Sequence, residues 1–318
     1  MKILITGGAG FIGSVTAAYL LDHGYQVNIL DDLSEGHFQS VDSRANFFQG
    51  SILDSSAVGR ALVDCKAVVH LAGKAIVSES TKDPEKYNLH NFTGTKNLLI
   101  SMIGHSIKKI VFSSTCAVYG NPNVKSIDEN TNPMPINPYG QSKLLADLEI
   151  SKFTEKYNLS SVSLRFFNVA GSYTSKSNQI FGESHVNETH LIPRILMQKE
   201  IEVYGSNLNT PDGTCVRDYV HVIDIANAIK LSLEKINIPG HKIYNLGSGT
   251  GISVNEIIEV TEEVLSRKIA KKNGKRRSGD PEYLVSNPDL ARNELGWSTT
   301  LNLNKIIADA QNFISKNS

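Results

Sequence analysis

Cysteine is scarce. The 318 residues hold three, Cys65, Cys116 and Cys215, far apart and odd in number. With no C-x-x-C pair, neither a disulfide framework nor a cysteine-built zinc site is expected, and a reducing compartment fits. Long apolar runs are lacking too. No stretch reaches the roughly 20 residues that span a bilayer, and Met1 leads straight into a strand-like run, so no signal peptide is expected. Net charge is also missing: 32 Lys and Arg stand against 32 Asp and Glu. A neutral chain exerts no long-range pull on nucleic acid or a membrane surface; the one basic run is "IAKKNGKRRSGD". The sequence shows no internal repeats and no low-complexity segment. What remains is 40% hydrophobic, enough for a large core in one big domain or two closely joined ones. We expect a cytoplasmic protein with no metal site.

What is there alternates. Short β-rich runs ("KILIT", "QVNILD", "AVVHLAG", "KKIVFSST") take turns with helical patterns ("SVTAAYLLDHG", "AVGRALVD", "NFTGTKNLLISMIG"). That rhythm argues for βαβ units around a parallel sheet buried on both faces. From about Gly171 the loops lengthen and turn polar, as in "GSYTSKSNQIFGESHVNETH". The expected organisation is a nucleotide-binding part over residues 1–170, with returning segments near 216–247, and a smaller substrate part over 171–318.

Between the first strand and helix stands "GGAGFIG", with two residues separating Gly7 from Gly10 and Gly10 from Gly13. Glycines suit a sharp turn where a pyrophosphate approaches main-chain N–H groups at a helix N-terminus. The spacing departs from G-x-G-x-x-G, so a plain tight turn is the competing reading. The next strand run ends in Asp31, about 20 residues on, where a carboxylate can accept from an adenosine ribose hydroxyl. That carboxylate would repel a 2′-phosphate and so favours NAD over NADP; a solvated strand end or N-cap at Asp31 or Asp32 is the alternative.

Further on, "FSSTCAVYG" closes a strand run with Thr115, and "NPYGQSKLLADLE" places Tyr139 and Lys143 four apart, on one face of a helix. A cation beside a phenol stabilises the phenolate, and such a tyrosine can take a proton from an alcohol as hydride leaves its carbon. A hydroxyl on the adjacent strand end would bond the same oxygen. Tyr-x-x-x-Lys is common by chance, and its weight comes from the glycines and hydroxyls around it.

Nearly end to end, the chain resembles the extended short-chain dehydrogenase/reductase family. The marks are "TGGAGFIGS", "VVHLAG", "NFTGTKNLL", "FSSTCAVYG" and "NPYGQSK". "LRFFNVAG", "ETHLIPRI", "DGTCVRDYVHV" and "RRSGDPEYLVSNPDLARNELGW" point within it to the UDP-hexose 4-epimerases. Sugar-nucleotide dehydratases, by contrast, typically carry Asp-Glu where this chain has Thr115-Cys116. The resemblance implies a Rossmann-type doubly wound α/β fold with a smaller C-terminal α/β substrate domain. It also implies NAD as cofactor and inversion at C4 of UDP-glucose or UDP-galactose through a transient 4-keto sugar.

Position by position, the resemblance makes Tyr139 the base, Thr115 its partner and Lys143 a ligand of the nicotinamide ribose. Gly7, Gly10, Phe11, Ile12, Gly13 and Asp31 would hold NAD, with Asn91 close by. Asn168, Arg217 and Arg277 would meet the diphosphate and Asp280 the uridine ribose, although Arg277 also reads as part of a solvated basic loop. Leu284, four residues past Asp280, would line the hexose pocket and leave room for N-acetyl groups. Departures exist. Ser51 stands where an adenine-contacting aspartate is usual, with Asp54 three residues later, and Lys74 precedes the usual lysine place, held by Ala75. His190 replaces an asparagine and reads equally as a diphosphate donor or a helix cap. "NFTGTKNLLISMIG" and "SKLLADLEISKFTEKY" are long enough for a four-helix contact, so a homodimer is expected. A net oxidoreductase or dehydratase, and a catalytically silent NAD sensor, are the rival readings.

Overall fold

The computed structural model describes residues 1–185, 188–276 and 281–317. Six strands come first: β1 (Lys2–Thr6), β2 (Gln26–Asp31), β3 (Asn46–Gln49), β4 (Ala67–His70), β5 (Lys109–Thr115) and β6 (Ser160–Phe166). Among them run α1 (Phe11–Asp22), α2 (Ser55–Leu62), the single turns α3 (Val77–Ser80) and α4 (Pro84–Tyr87), α5 (Gly94–Gly104) and the 20-residue α6 (Pro138–Tyr157). Thereafter the elements are mostly shorter. They are β7 (Asn168–Ala170), β8 (Ser172–Thr174), β9 (Ile180–Gly182), α7 (Leu191–Met197), β10 (Glu200–Tyr204), β11 (Val216–His221) and α8 (Val222–Lys235). The chain ends with β12 (Gly240–Leu246), β13 (Gly251–Ser253), α9 (Val254–Leu265), β14 (Ala270–Gly274), β15 (Tyr283–Leu284) and α10 (Leu303–Asn317).

Seven parallel strands form the central sheet in the order β12-β6-β5-β4-β1-β2-β3. A parallel sheet covered by helices must be apolar on both faces, and successive side chains alternate between them. Ile3, Ile5, Val27, Ile29 and Val69 accordingly enter one core, with α1 and α8. Leu4, Leu30, Val68, Ile110 and Phe112 enter the other, with α2, α5 and α6. β6 departs from this rule. Val162, Leu164 and Phe166 join the first core, but the opposite face is Ser161, Ser163 and Arg165, all buried. Buried polar groups need partners. The Ser161 hydroxyl lies 2.6 Å from that of Thr154, and Arg165 Nη2 lies 3.5 Å from Asp147 Oδ2, both partners on α6. The helix that carries Tyr139 is thus docked on the sheet by polar pairs as well as apolar ones.

Strand order reverses at β1, with β2 and β3 on one side and β4, β5 and β6 on the other. This is the doubly wound arrangement the sequence predicts, and its ligand crevice lies beyond the carboxyl ends of the strands at the reversal. α8 packs its Val222 and Ala226 on Val15 and Ala18 of α1, and β12 extends the sheet along the whole of β6. A smaller sheet centres on β11, flanked by antiparallel β13 and parallel β15, with β7 pairing the other half of β11. Its core is isoleucine-rich, including Ile192, Ile195, Ile257, Ile258 and Ile307. No helix among the described residues is long and apolar enough to cross a membrane.

Candidate active site

Gly7 ends β1 with φ +72°, and a Cβ there would come within 2.6 Å of the Ala72 nitrogen. At Gly13 a side chain would fall on the Gly7 carbonyl oxygen. The two glycines therefore let the β1 turn, the first turn of α1 and the end of β4 approach more closely than side chains permit. Gly10 is the N-cap of α1, with no side-chain cap bond. Phe11 and Ile12 open the helix, where N–H groups have no intrahelical acceptor and the dipole favours an anion. Asp31, at the end of β2, is buried. Its Oδ2 accepts from the Ala9 amide (3.0 Å) and its Oδ1 from the Leu33 amide (2.8 Å), tying the glycine turn to the strand end. Burial raises its carboxyl above the usual value, and those two amides work against the rise.

Gly7, Gly10 and Asp31 open on one cleft, also lined by Ser34, Glu35, Ser51, Gly73 and Lys74. Ser51 accepts from the Leu53 amide at 3.3 Å, while Asp54 caps α2 by accepting from Ser56 at 2.9 Å. Asp54 is thus engaged at the helix N-terminus. Lys74 crosses the cleft mouth, its Nζ 2.7 Å from Glu35 Oε1 and 3.1 Å from Ser34 Oγ. Asn91 lies in a π-helical stretch, Asn88–Thr93, a local distortion common at functional sites. Its Oδ1 accepts from the Lys74 amide (2.7 Å), and its Nδ2 donates to the Lys74 carbonyl (3.0 Å) and Ser142 Oγ (2.9 Å). Asn91 therefore holds the cleft wall against the neighbour of Lys143.

Tyr139 and Lys143 occupy the first two turns of α6, capped by Asn137, whose side chain accepts from the Gly140 amide at 2.8 Å. Lys143 Nζ donates to the Ser113 carbonyl at 2.8 Å and lies 4.8 Å from the Phe112 ring centroid. Burial brings its pKa down to about 8, against which Asp147 one turn on exerts a raising pull. Burial pushes the Tyr139 phenol up to about 12, and the hydroxyl of Thr115 opposes this by hydrogen bonding. The ring of Tyr87 meets that of Tyr139 edge-on, centroids 6.3 Å apart. Positive charge brought beside the phenol would lower its pKa again.

On the small sheet, Asn168 of β7 is in register with Tyr219 of β11, and Arg217 of β11 with Leu284 of β15. Leu284 packs with Val118, Tyr119, Ile127 and Phe167, and Cys116 and Leu144 pack against that cluster. Cys116 follows Thr115 and Leu144 follows Lys143, so the small sheet meets the end of β5 and the start of α6 there. His190 is the N-cap of α7 without a side-chain cap bond. Its Nδ1 lies 2.7 Å from Glu183 and 3.1 Å from Glu188. These carboxylates hold the imidazole above its usual range although burial works against it. Arg277 and Asp280 lie outside the described residues.

Sequence reasoning missed the layer under Tyr139 and Lys143. Asp147 Oδ2 accepts from Ser114 Oγ at 2.8 Å and faces Arg165, whose Nη1 donates to Tyr119 Oη at 2.8 Å; Tyr119 donates to Asn245 at 2.7 Å. Asp147 had a signal, since it sits four residues after Lys143. Arg165 had none beyond its strand.

Known proteins give the comparison a scale. The chain is similar to a UDP-glucose 4-epimerase of Corynebacterium glutamicum, 40% identical over 321 residues that cover 99% of this chain and 96% of that protein. Among solved structures, it superposes on UDP-glucose 4-epimerase from Bifidobacterium longum in complex with NAD+ and UDP. The TM-score is 0.94, with 33% identity, 100% of this chain covered and 99% of that one. It also superposes on the UDP-Glc/GlcNAc 4-epimerase of Campylobacter jejuni with a TM-score of 0.85, 31% identity and 99% of each chain covered. The family model for the NAD dependent epimerase/dehydratase family matches residues 3–247, and the chain belongs to that family.

Proposed function

We propose that the protein interconverts UDP-glucose and UDP-galactose by inverting C4 through a 4-keto sugar, with NAD held in the glycine cleft. The observation that carries this is the placement of Tyr139 against the Thr115 hydroxyl, with Lys143 anchored on the Ser113 carbonyl beside that cleft. The cleft suits a dinucleotide: two close-packed glycines, an open helix N-terminus and a buried carboxylate at the end of β2. In this reading residues 1–170, with the returning stretch near 216–247, hold the cofactor, and the rest of 171–318 holds the nucleotide sugar. Bound NAD supplies the acceptor and donor for the C4 hydrogen and, when oxidised, a positive charge that opposes burial of the phenolate.

The chain's own residues do the rest. Tyr139 removes the proton of the 4-hydroxyl and later returns it, while Thr115 bonds the same oxygen and Lys143 favours the phenolate. Asn168, Arg217, His190, Arg277 and Asp280 keep the UDP part fixed while the keto hexose turns over. Guanidinium forks suit a diphosphate because they donate bidentately. His190 Nδ1 faces Glu183 and Glu188, which leaves Nε2 to donate. Leu284 near the hexose leaves room for a 2-acetamido group, and the Campylobacter relative is named for both sugar types.

Incubating the purified protein with UDP-galactose and no external oxidant tests the reading. We expect UDP-glucose to form without build-up of NADH. Stoichiometric NADH, or a dehydrated product, would overturn it, and no turnover on any UDP-hexose would favour a binding protein. We further infer a homodimer built on α5 and α6, whose Ile100 and Leu148 are exposed apolar residues; Ile100→Glu should yield monomers in sedimentation. Cytoplasmic residence is inferred from three cysteines spread far apart in the sequence with no C-x-x-C pair, and a fluorescent fusion confined to a membrane or extracellular fraction would refute it.

A further inference from the structure

The segment between β9 and α7 repeats one short pattern, Glu183-Ser-His185 and Glu188-Thr-His190. Two residues apart is the spacing that puts side chains on one side of an extended segment, and His190 is extended. The two pairs meet. His190 Nδ1 lies 2.7 Å from Glu183 Oε1 and 3.1 Å from Glu188 Oε1, and His185 Nε2 lies 3.3 Å from Glu183 Oε1. One donor atom from each of the four residues falls within 4.8 Å of all the others. From this convergence we propose that Glu183, His185, Glu188 and His190 bind a divalent transition-metal cation, with Zn2+ the best match.

The donor set selects the ion. Imidazole nitrogens and carboxylate oxygens bind zinc at about 2.0–2.2 Å, so tetrahedral donors stand roughly 3.4 Å apart. Three of the six separations, 2.7, 3.1 and 3.3 Å, lie inside that value and all six lie within 4.8 Å, so small side-chain shifts close the shell around an ion. Two carboxylates balance its two charges while both imidazoles stay neutral. Magnesium and calcium favour all-oxygen shells, which two imidazoles do not provide. Access fits as well: both carboxylate side chains are 8% exposed, whereas His190 is 50% exposed and leaves an entry path. The three cysteines take no part. An ion here pins the segment that leads into α7 and leaves His190 Nε2 free to face substrate. The proposed epimerisation does not call on this ion, so the inference goes beyond that reading.

The test counts metal and needs no turnover. Purified holoenzyme is stripped with EDTA, loaded with ZnCl2, gel-filtered and assayed for zinc and for bound NAD, and its unfolding midpoint is read with and without ZnCl2. We expect one zinc per chain and a raised midpoint, because a ligand that binds only the folded state stabilises it. In His185→Gln/Glu188→Gln, zinc retention should fall by roughly tenfold or more and the midpoint shift should vanish, while NAD content stays at the wild-type level. If that double variant loses NAD, Glu188→Gln alone repeats the comparison, since it keeps the shape and removes one charge. Wild-type protein with no zinc above buffer, or a variant that retains as much as wild type, overturns the site and leaves an ion-pair cluster only. Either result leaves the epimerase reading standing, and failure of that reading leaves the zinc count unaffected.

Discussion

Around the ends of β1, β2 and β5 the chain presents mostly main chain: Gly7, Gly10 and Gly13, the amides of Ala9 and Leu33 on Asp31, and the Ser113 carbonyl under Lys143. Around the small sheet, side chains on short strands and loops take over: Asn168, Arg217, Leu284 and the Glu183–His190 cluster. A cofactor retained through every turnover favours a rigid backbone mould, because little ordering is left to occur on binding. A sugar that must rotate between two half-reactions favours a fixed grip on one end and room at the other. The two sides meet at Thr115-Cys116 and Lys143-Leu144, the seam on which the proposed reaction takes place.

The seam should be the most sensitive place. Tyr139→Phe is expected to lower kcat by about 10²- to 10⁴-fold while NAD content and the unfolding midpoint stay close to wild type. A rate within a few-fold of wild type would move the base elsewhere. The backbone mould comes next. Gly13→Ala puts a methyl group on the Gly7 carbonyl, so the purified protein should carry far less NAD and lose about 1–3 kcal/mol of stability. Full NAD content in that variant would show that the close packing is not needed.

The mould side also predicts an acid response. His70 lies wholly buried, its Nδ1 2.7 Å from Thr6 Oγ1 and its Nε2 2.8 Å from Thr95 Oγ1. Burial first, then the charge of Lys143, brings its pKa down from 6.5 to about 3. Between those values the unfolded chain binds a proton that the folded chain refuses. Stability therefore falls as pH drops from about 6.5 toward 3, by up to about 1.4 kcal/mol per unit. Denaturant titrations near pH 7, 6 and 5 should show a shallower fall in His70→Gln than in wild type; parallel curves would remove His70 as the source. Asp31→Ser should weaken NAD and narrow the gap to NADP about tenfold, read by cofactor titration. It should also loosen the turn, because it removes the acceptor for Ala9 and Leu33.

The substrate side yields the smallest effect. Leu284→Tyr should lower the rate on UDP-N-acetylglucosamine relative to UDP-glucose by about tenfold, the modest scale of discrimination by pocket size. An equal fall on both sugars would report overpacking of the Phe167 cluster instead.

This contrast also explains what could be read from sequence. Gly7, Gly13 and Asp31 are legible because a turn, a close approach and a strand end each impose a residue type at a local spacing. Tyr139 and Lys143 are legible because four residues make one helical turn. Arg165 was not, since its partner Asp147 is set by which face of β6 meets α6, a tertiary fact. Asp54, three residues past Ser51, shows the local case: the demand of the α2 N-terminus claims its carboxylate. The histidine–carboxylate cluster went unread because the search for metal ligands followed the cysteines.

The edge strand of the sheet carries a consequence for synthesis. β6 ends at Phe166, yet its outer neighbour β12 begins only at Gly240 and ends at Leu246. Chains are made N-terminus first at about 5–20 residues per second, so β6 emerges several seconds before the strand that covers it. During that interval a seven-residue edge with Val162, Leu164 and Phe166 on one face is open to pairing with another chain. Ser161, Ser163 and Arg165 on its other face make that edge half polar. The polar face that anchors α6 in the finished enzyme thus also guards the nascent sheet while its last strand is still inside the ribosome.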